Sequence, residues 1–321
     1  MQLNLPILDC LENSQNILIA GAGGGFDVFS GLPIYFALRK LGKTAHLANL
    51  SFCDFRIIKH VCRFETIIEE ALAVTWGGVR ELPLPYMPEP LLSQWFQEKR
   101  GESIPIWLFG RLGAKPYIAA YQSLAEKLNF DAIILVDGGV DSIMRGDEEG
   151  AGTLIEDTLT LIAVDALNTP VKILACIGFG AEREEAVCHY RALENMAALA
   201  KADAFLGGCA LTKQMEDFQL FESACRYVWE HPGHSASHIS TRIIPATWGE
   251  FGNYHMTDQD QWIDICISPL MSLYWFYNAT TVTRCNLLAD ILRDTTTKDE
   301  AMRSAMMSPL GRARTRRPLP Y

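Results

Sequence analysis

The run Val136-Asp137-Gly138-Gly139-Val140-Asp141-Ser142-Ile143-Met144-Arg145-Gly146-Asp147-Glu148-Glu149 gathers more chemistry-bearing side chains than any other stretch of the chain. Asp137, Asp141, Asp147 and Glu148 bring their carboxylates close together, with Arg145 among them. Crowded carboxylates repel one another, and the repulsion costs stability unless a cation or hydrogen bonds offset it. The same crowding raises a carboxylate pKa toward the range a general base needs. Asp137 and Asp141 are therefore candidate general bases, or candidate ligands of a hard cation such as Mg²⁺ or Ca²⁺. Arg145 is a candidate for stabilising developing negative charge, and Asp147 and Glu148 complete the candidate catalytic set. The competing reading is that Arg145 and backbone amides neutralise the acids. The spacing is not that of an EF-hand.

A second candidate is Gly21-Ala22-Gly23-Gly24-Gly25-Phe26-Asp27. Glycines directly after a strand let the backbone turn sharply and approach a ligand closely. The free N–H groups of the following helix start then favour a phosphate or carboxylate. Gly21, Gly23, Gly24, Gly25, Phe26 and Asp27 are candidate cofactor-binding residues on this ground, with Gly138 and Gly139 from the acidic loop. The spacing is not a clean G-x-G-x-x-G, and Asn49 stands where an NAD site wants an acid. Asp27 suits a ribose hydroxyl, an amine or a metal better than a phosphate. An NAD-like nucleotide is thus one possible ligand of several. Gly178 and Gly180 follow another strand and are expected beside these loops, with Glu182 or Arg183 reaching the pocket.

His231, His234 and His238, with His255 further on, form a weaker candidate for zinc or a general base. Capping and hydrogen bonding is the plainer use of such histidines. Glu250 to His255 offers an acid, an amide, a phenol and an imidazole in one turn. The aromatics 274–277 suit either a ring pocket or core packing. There is no G-x-S-x-G elbow and no G-x-x-x-x-G-K-[ST] loop, which removes two common enzyme classes.

The elements that must position these groups alternate. Apolar runs at 16–20, 45–50, 104–109, 131–136 and 171–177 read as strands. Helical stretches are expected at 32–41, 117–128, 154–166 and 182–199, with a short strand at 204–206. Unbroken apolar strands alternating with helices imply a parallel sheet covered on both faces. The expectation is an α/β, Rossmann-like three-layer fold with a mostly parallel central sheet. Further on, a helix running to Trp229, strands at 239–246 and 262–267, and a long apolar helix over 269–292 are expected. The proline-rich stretch 82–90 reads as a rigid extended loop. No linker divides the chain, so 1–300 is taken as one domain and 301–321 as a basic, solvated tail carrying Arg303, Arg312, Arg314, Arg316 and Arg317.

The bulk numbers bound the partners. With 321 residues, 49% hydrophobic, the chain can bury a large core. A net charge of -10 repels nucleic acid in bulk, so polyanion binding would need a local patch. Nine scattered cysteines contain no CxxC pair, so a thiolate zinc cage is not expected. No apolar run is long enough to cross a membrane. The odd cysteine count and the acidic N-terminal segment fit a cytoplasmic protein with reduced thiols. The apolar stretch near 268–288 suits either core or a homo-oligomer interface.

Four blocks, GAGGGFDVFSGLPIYFAL, VDGGVDSIMRGDEEGAGTLIEDTL, CIGFG and ISPLMSLYWFY, resemble the DUF1152 family. The pattern DGG-x-DS-x-x-x-GDE-x-G is the most specific part. The resemblance implies a Rossmann-like α/β chain and supports the choice of loops, but brings no activity. Residues 21–23 with 30–33 are also slightly similar to the NAD loop of sirtuins, whose paired CxxC zinc site this chain lacks.

The leading expectation is an enzyme that hydrolyses or transfers a group on a small nucleotide-like or phosphorylated ligand. The alternative is a non-catalytic ligand-binding or sensing module acting through a protein partner. Both require the loop after the first strand and the acidic loop to face one hollow.

Overall fold

A computed structural model describes residues 6–80, 86–182, 186–310 and 313–319. Its strands are β1 (Asn16–Gly21), β2 (Thr44–Leu50), β3 (Phe64–Ile68), β4 (Leu72–Thr75), β5 (Ile106–Phe109), β6 (Ala132–Asp137), β7 (Val171–Ile177), β8 (Phe205–Ala210) and β9 (Leu273–Asn278). They form one nine-stranded sheet in the order β3-β4-β5-β2-β1-β6-β7-β9-β8. The central strands β5, β2, β1, β6 and β7 run parallel. Antiparallel strands flank them, β4 and β3 on one side, β9 and β8 on the other.

The central strands are apolar along their whole length because helices cover both faces. Alternate side chains feed two separate cores. Ile17, Ile19, Ile134 and Val136 enter one. Leu18, Ala20, Ile133 and Leu135 enter the other. A slip of one residue in any of these strands would exchange the two sets, so the register is strongly specified. The helices Leu32–Lys40, Pro88–Trp95 and Glu216–Trp229 pack on the first face; Ala114–Leu128 and Leu154–Asp165 pack on the second.

Several expectations are corrected. The stretch 239–246 is not a strand but part of the helix Ser240–Trp248. Its isoleucines suggested β structure, yet Ile239 and Ile243 lie four apart and meet the same partner, Gly178. The stretch 262–267 carries only an isolated bridge between Gly252 and Ile267, and Trp262 is exposed. The long helix expected over 269–292 is instead a short 3₁₀ turn, strand β9 and the helices Ala279–Cys285 and Ala289–Leu292. An unbroken apolar run does not separate strand from buried helix by periodicity, and the aromatic content of 274–277 favours the strand. This segment is core, with Tyr274, Phe276 and Tyr277 buried inside the sheet's two faces.

The helix expected from Glu182 spans His189–Lys201. Pro88 and Pro90 open a helix rather than extend a loop, because proline fits the first helical turn; Pro83 and Pro85 lie outside the described residues. The hairpin β3–β4 was not foreseen. Residues 301–306 belong to the helix Lys298–Met306, and Arg314, expected in a solvated tail, bonds to Asp147, Glu148 and Glu194. Arg312 lies outside the described residues. Among the described residues, no helix is long and apolar enough to cross a membrane.

Candidate functional site

The chain runs from β1 outward to β2 and β5 on one side, and later places β6 and β7 on the other side of β1. The order therefore reverses between β1 and β6. In open α/β sheets a crevice forms at such a point, outside the carboxyl ends of the strands. The register puts both loops there: Gly21 stands opposite Val136, and the Ala22 N–H donates to the Val136 carbonyl at 2.8 Å. The glycine loop and the acidic loop thus leave the sheet side by side.

Between them lies a cavity of about 430 Å³. Residues 23–27 and Ser30 line one wall; Asp137, Gly138 and Asp141 line another. Thr153 and Asp157 come from the start of the Leu154–Asp165 helix, and Glu182 and residues 235–239 close the rest. The shared hollow that the two loops required is present.

Each acid is positioned by a local device. The Asp27 carboxylate accepts the Gly23 N–H at 2.7 Å and the Gly138 N–H at 3.1 Å, tying the two loops together. Ser142, in the turn Asp141–Ile143, donates its N–H at 3.1 Å and its hydroxyl to Asp137 Oδ2. Thr153 donates its N–H and its hydroxyl, both at 2.7 Å, to Asp141 Oδ2. Glu182 accepts the Val140 N–H at 2.6 Å. Asp157 differs from all of these. It is 1% exposed, and neither carboxylate oxygen has a hydrogen-bond partner. Asp137, Asp141 and Asp157 each place an oxygen within 4.8 Å of the other two.

The electrostatics follow from burial. Desolvation first, then the negative charges of Asp141 and Asp27, push the Asp137 carboxyl well above the usual carboxylate range. Desolvation, then Asp141, Asp137 and Asp27, does the same to Asp157. Among the described residues lining the cavity there are five carboxylates and no lysine or arginine.

The glycines work differently from an anion cradle. A Cβ on Gly23 would stand 2.8 Å from Asp157 Oδ1, and one on Gly139 would stand 2.3 Å from Glu182 Oε1. Absent side chains here let carboxylates approach the backbone. The Gly23 amide that an anionic ligand would seek is already bonded to Asp27. Gly24, Gly25, Phe26 and Gly138 line the cavity as expected, whereas Gly21 packs against Asn49 and Gly178 against Ile239 and Ile243. Gly180 lines a separate, mainly apolar cavity of about 580 Å³ with Phe179, Tyr190 and Arg316. No carboxylate among the described residues borders that second space.

Arg145, Asp147 and Glu148 do not line the carboxylate cavity. The turn Asp141–Ile143 carries the chain away, and Arg145 borders a small gap with Asn195 and Asn286 instead. Glu148 is buried and accepts the backbone amides of Arg145 and Gly146 and the side-chain amide of Asn195. With Asp147 it also meets Arg314. These acids brace the loop. Asn49 is buried beneath the glycine loop, donating to the Gly25 carbonyl at 2.9 Å and to Glu89 at 2.8 Å.

The histidines do not assemble. His238 lines the cavity, His234 accepts the Met87 N–H, His231 bonds the Tyr227 carbonyl and His255 pairs with Asn253. Among the described residues, no histidine belongs to a group with metal-ligand spacing. Glu250 is exposed outside the cavity, and Arg183 lies outside the described residues. Asp157 was missed. Its signal was an acid on an apolar face, three after Leu154 and four before Leu161, both buried.

The family model described as "Protein of unknown function (DUF1152)" matches residues 109–309. That span contains the acidic loop, Asp157 and Glu182; the glycine loop precedes it. No curated protein and no solved structure matches the chain.

Proposed function

The chain belongs to the DUF1152 family, and since that membership brings no activity, we propose one from the cavity: hydrolysis or group transfer on a small nucleotide-like or phosphorylated ligand. The observation that carries this reading is the single cavity shared by the glycine loop and the acidic loop. Its volume suits a small ligand. The parallel strands β5-β2-β1-β6-β7 follow the order of a doubly wound, Rossmann-like sheet, and the cavity lies where such sheets bind ligands. Carboxylates held by backbone amides suit proton transfer in such a site. Asp27 and Glu182 are the groups we assign to accept a proton from an attacking water or hydroxyl, because both line the cavity on fixed supports. Phe52 and Tyr86, near-parallel rings 6.4 Å apart on the same lining, offer a flat apolar surface for a ring.

The test is a panel of nucleotides and phosphorylated sugars followed by phosphorus NMR, with divalent cations present. Turnover of one class is expected, falling by about 10²- to 10⁴-fold in Asp27→Asn or Glu182→Gln. No turnover of any member, together with native mass spectra showing a stable partner chain and no small molecule, would replace this reading with that of a non-catalytic sensing module.

A further inference from the structure

We propose that Asp137, Asp141 and Asp157 together hold a hard, oxygen-seeking divalent cation at the floor of the cavity. Three observations carry the assignment. The first is geometry: an oxygen of each carboxylate lies within 4.8 Å of the other two. Oxygens on opposite sides of one ion stand at about twice the metal–oxygen distance, roughly 4.2 Å for Mg²⁺ and about 4.8 Å for Ca²⁺. The three acids therefore fit around an ion of Ca²⁺ size as they stand, and Mg²⁺ would hold them at the shorter spacing.

The second observation is Asp157. A carboxylate that is 1% exposed and has no hydrogen-bond donor at either oxygen is a costly thing to build into a core. Folded chains pair buried acids or use them as metal ligands. No lysine or arginine among the described lining residues pairs with it, and the charges acting on it are those of the carboxylates Asp141, Asp137, Asp27 and Glu156. A cation meets that need.

The third observation is the support behind the other two ligands. Ser142 donates twice to Asp137 Oδ2, and Thr153 donates twice to Asp141 Oδ2. Hydrogen bonds to a ligating carboxylate fix its direction, as is usual around metal ions. Gly23 leaves room for Asp157 to stand against the loop backbone. A bound ion would also reconcile an acidic lining with a phosphorylated ligand, since the cation can bridge the two. This last point rests on the functional reading above; the metal site itself does not.

The experiment needs no substrate. The full chain, stripped with EDTA and exchanged into chelator-free buffer, is titrated separately with Mg²⁺, Ca²⁺ and Mn²⁺ by calorimetry. Mn²⁺ binding is also followed by electron paramagnetic resonance, and thermal unfolding is recorded in each ion. The expected result is one ion per chain, a raised unfolding temperature, and at least 10-fold weaker binding in Asp157→Asn. That variant keeps the size of the side chain and removes a buried charge, so folding is expected to survive, as circular dichroism will show. Preference for Mg²⁺ or for Ca²⁺ identifies the ion. A folded parent chain that binds none of the three ions overturns the proposal, as does an Asp157→Asn variant that binds like the parent. Cation binding without turnover would leave the site standing and remove the functional reading; turnover without cation binding would do the reverse.

Discussion

Gly23 and Asp157 are in such close approach that a methyl group on the glycine would stand 2.8 Å from the acid's Oδ1. Gly23 does not have a positive φ, so an alanine there meets no backbone strain. The whole effect of Gly23→Ala must come from contact. Either Asp157 turns aside or the loop lifts, and lifting breaks the 2.7 Å bond from the Gly23 N–H to Asp27. The expected outcome is a folded chain destabilised by about 1–3 kcal/mol, the usual cost of overpacking. Cation affinity should fall at least tenfold. Urea unfolding and calorimetry measure the two effects; parental values for both would show that the close approach has no consequence.

Arg314 spans four acceptors on two segments, 147–148 and 194–195. It meets Asp147 at 3.0 Å, Glu194 at 2.9 Å and Asn195 at 2.9 Å, and also bonds the fully buried Glu148 side chain. Arg314→Ala would leave Glu148 buried without its cation. Removing one partner of a buried pair costs about 3–5 kcal/mol. Glu148 keeps the amides of Arg145, Gly146 and Asn195, so the expected loss is smaller, about 2–3 kcal/mol. Arg314→Lys should recover only part of it, because an ammonium cannot reproduce the fork of contacts. An alanine variant as stable as the parent in urea would return the tail to the solvated segment its composition suggested.

The positions of the central strands were legible because burial on both faces imposes unbroken apolar runs, as in Ile17 to Ala20 and Ile133 to Val136. Their ends then located the two loops. Segments outside the parallel core were harder to read. Ile243 is β-branched yet helical, since packing against the Gly178 turn outweighs local preference. Tyr274 to Tyr277 read as helix because a buried strand with no polar alternation looks the same. At the site, Asp137 and Asp141 were visible as neighbours in sequence. Asp157 was not, because helix packing brings it to them from a later segment. Glu148 looked catalytic by composition, but the fold turns its carboxylate toward Arg314 and backbone amides.

Tyr274 joins β9 to the site's wall by donating its hydroxyl to the Ser30 carbonyl. Both residues are buried, so water replaces that bond poorly. Tyr274→Phe should therefore cost about 1–3 kcal/mol, the penalty for a buried acceptor left unsatisfied, with little change in packing volume. The neighbouring ring of Phe276 lies nearly parallel to Tyr274 at 5.9 Å and should be undisturbed. Chemical denaturation gives the loss. Stability equal to the parent's would mean that the hydroxyl contributes nothing to anchoring Ser30.

Glu89 gives the pH dependence its sign. It sits fully buried in the first turn of the Pro88–Trp95 helix, bonded to Asn49, and burial pushes its carboxyl from 4.5 up to about 7. Between those values the folded chain keeps a proton that the unfolded chain has lost. Stability must then fall as pH rises through this window, since the state that binds more protons is favoured at low pH. The full difference amounts to about 3 kcal/mol at 1.36 kcal/mol per unit. It is absent below about pH 4.5 and complete above about pH 7. Glu89→Gln has no proton to lose and keeps an oxygen for the Asn49 amide. The variant should match the parent near pH 4.5 and exceed it progressively toward pH 8. Urea unfolding of both proteins at pH 5, 6, 7 and 8 gives the difference directly. A constant gap across that range would mean that Glu89 is already ionised beneath the glycine loop, and that Asn49 holds a carboxylate there instead of a carboxylic acid.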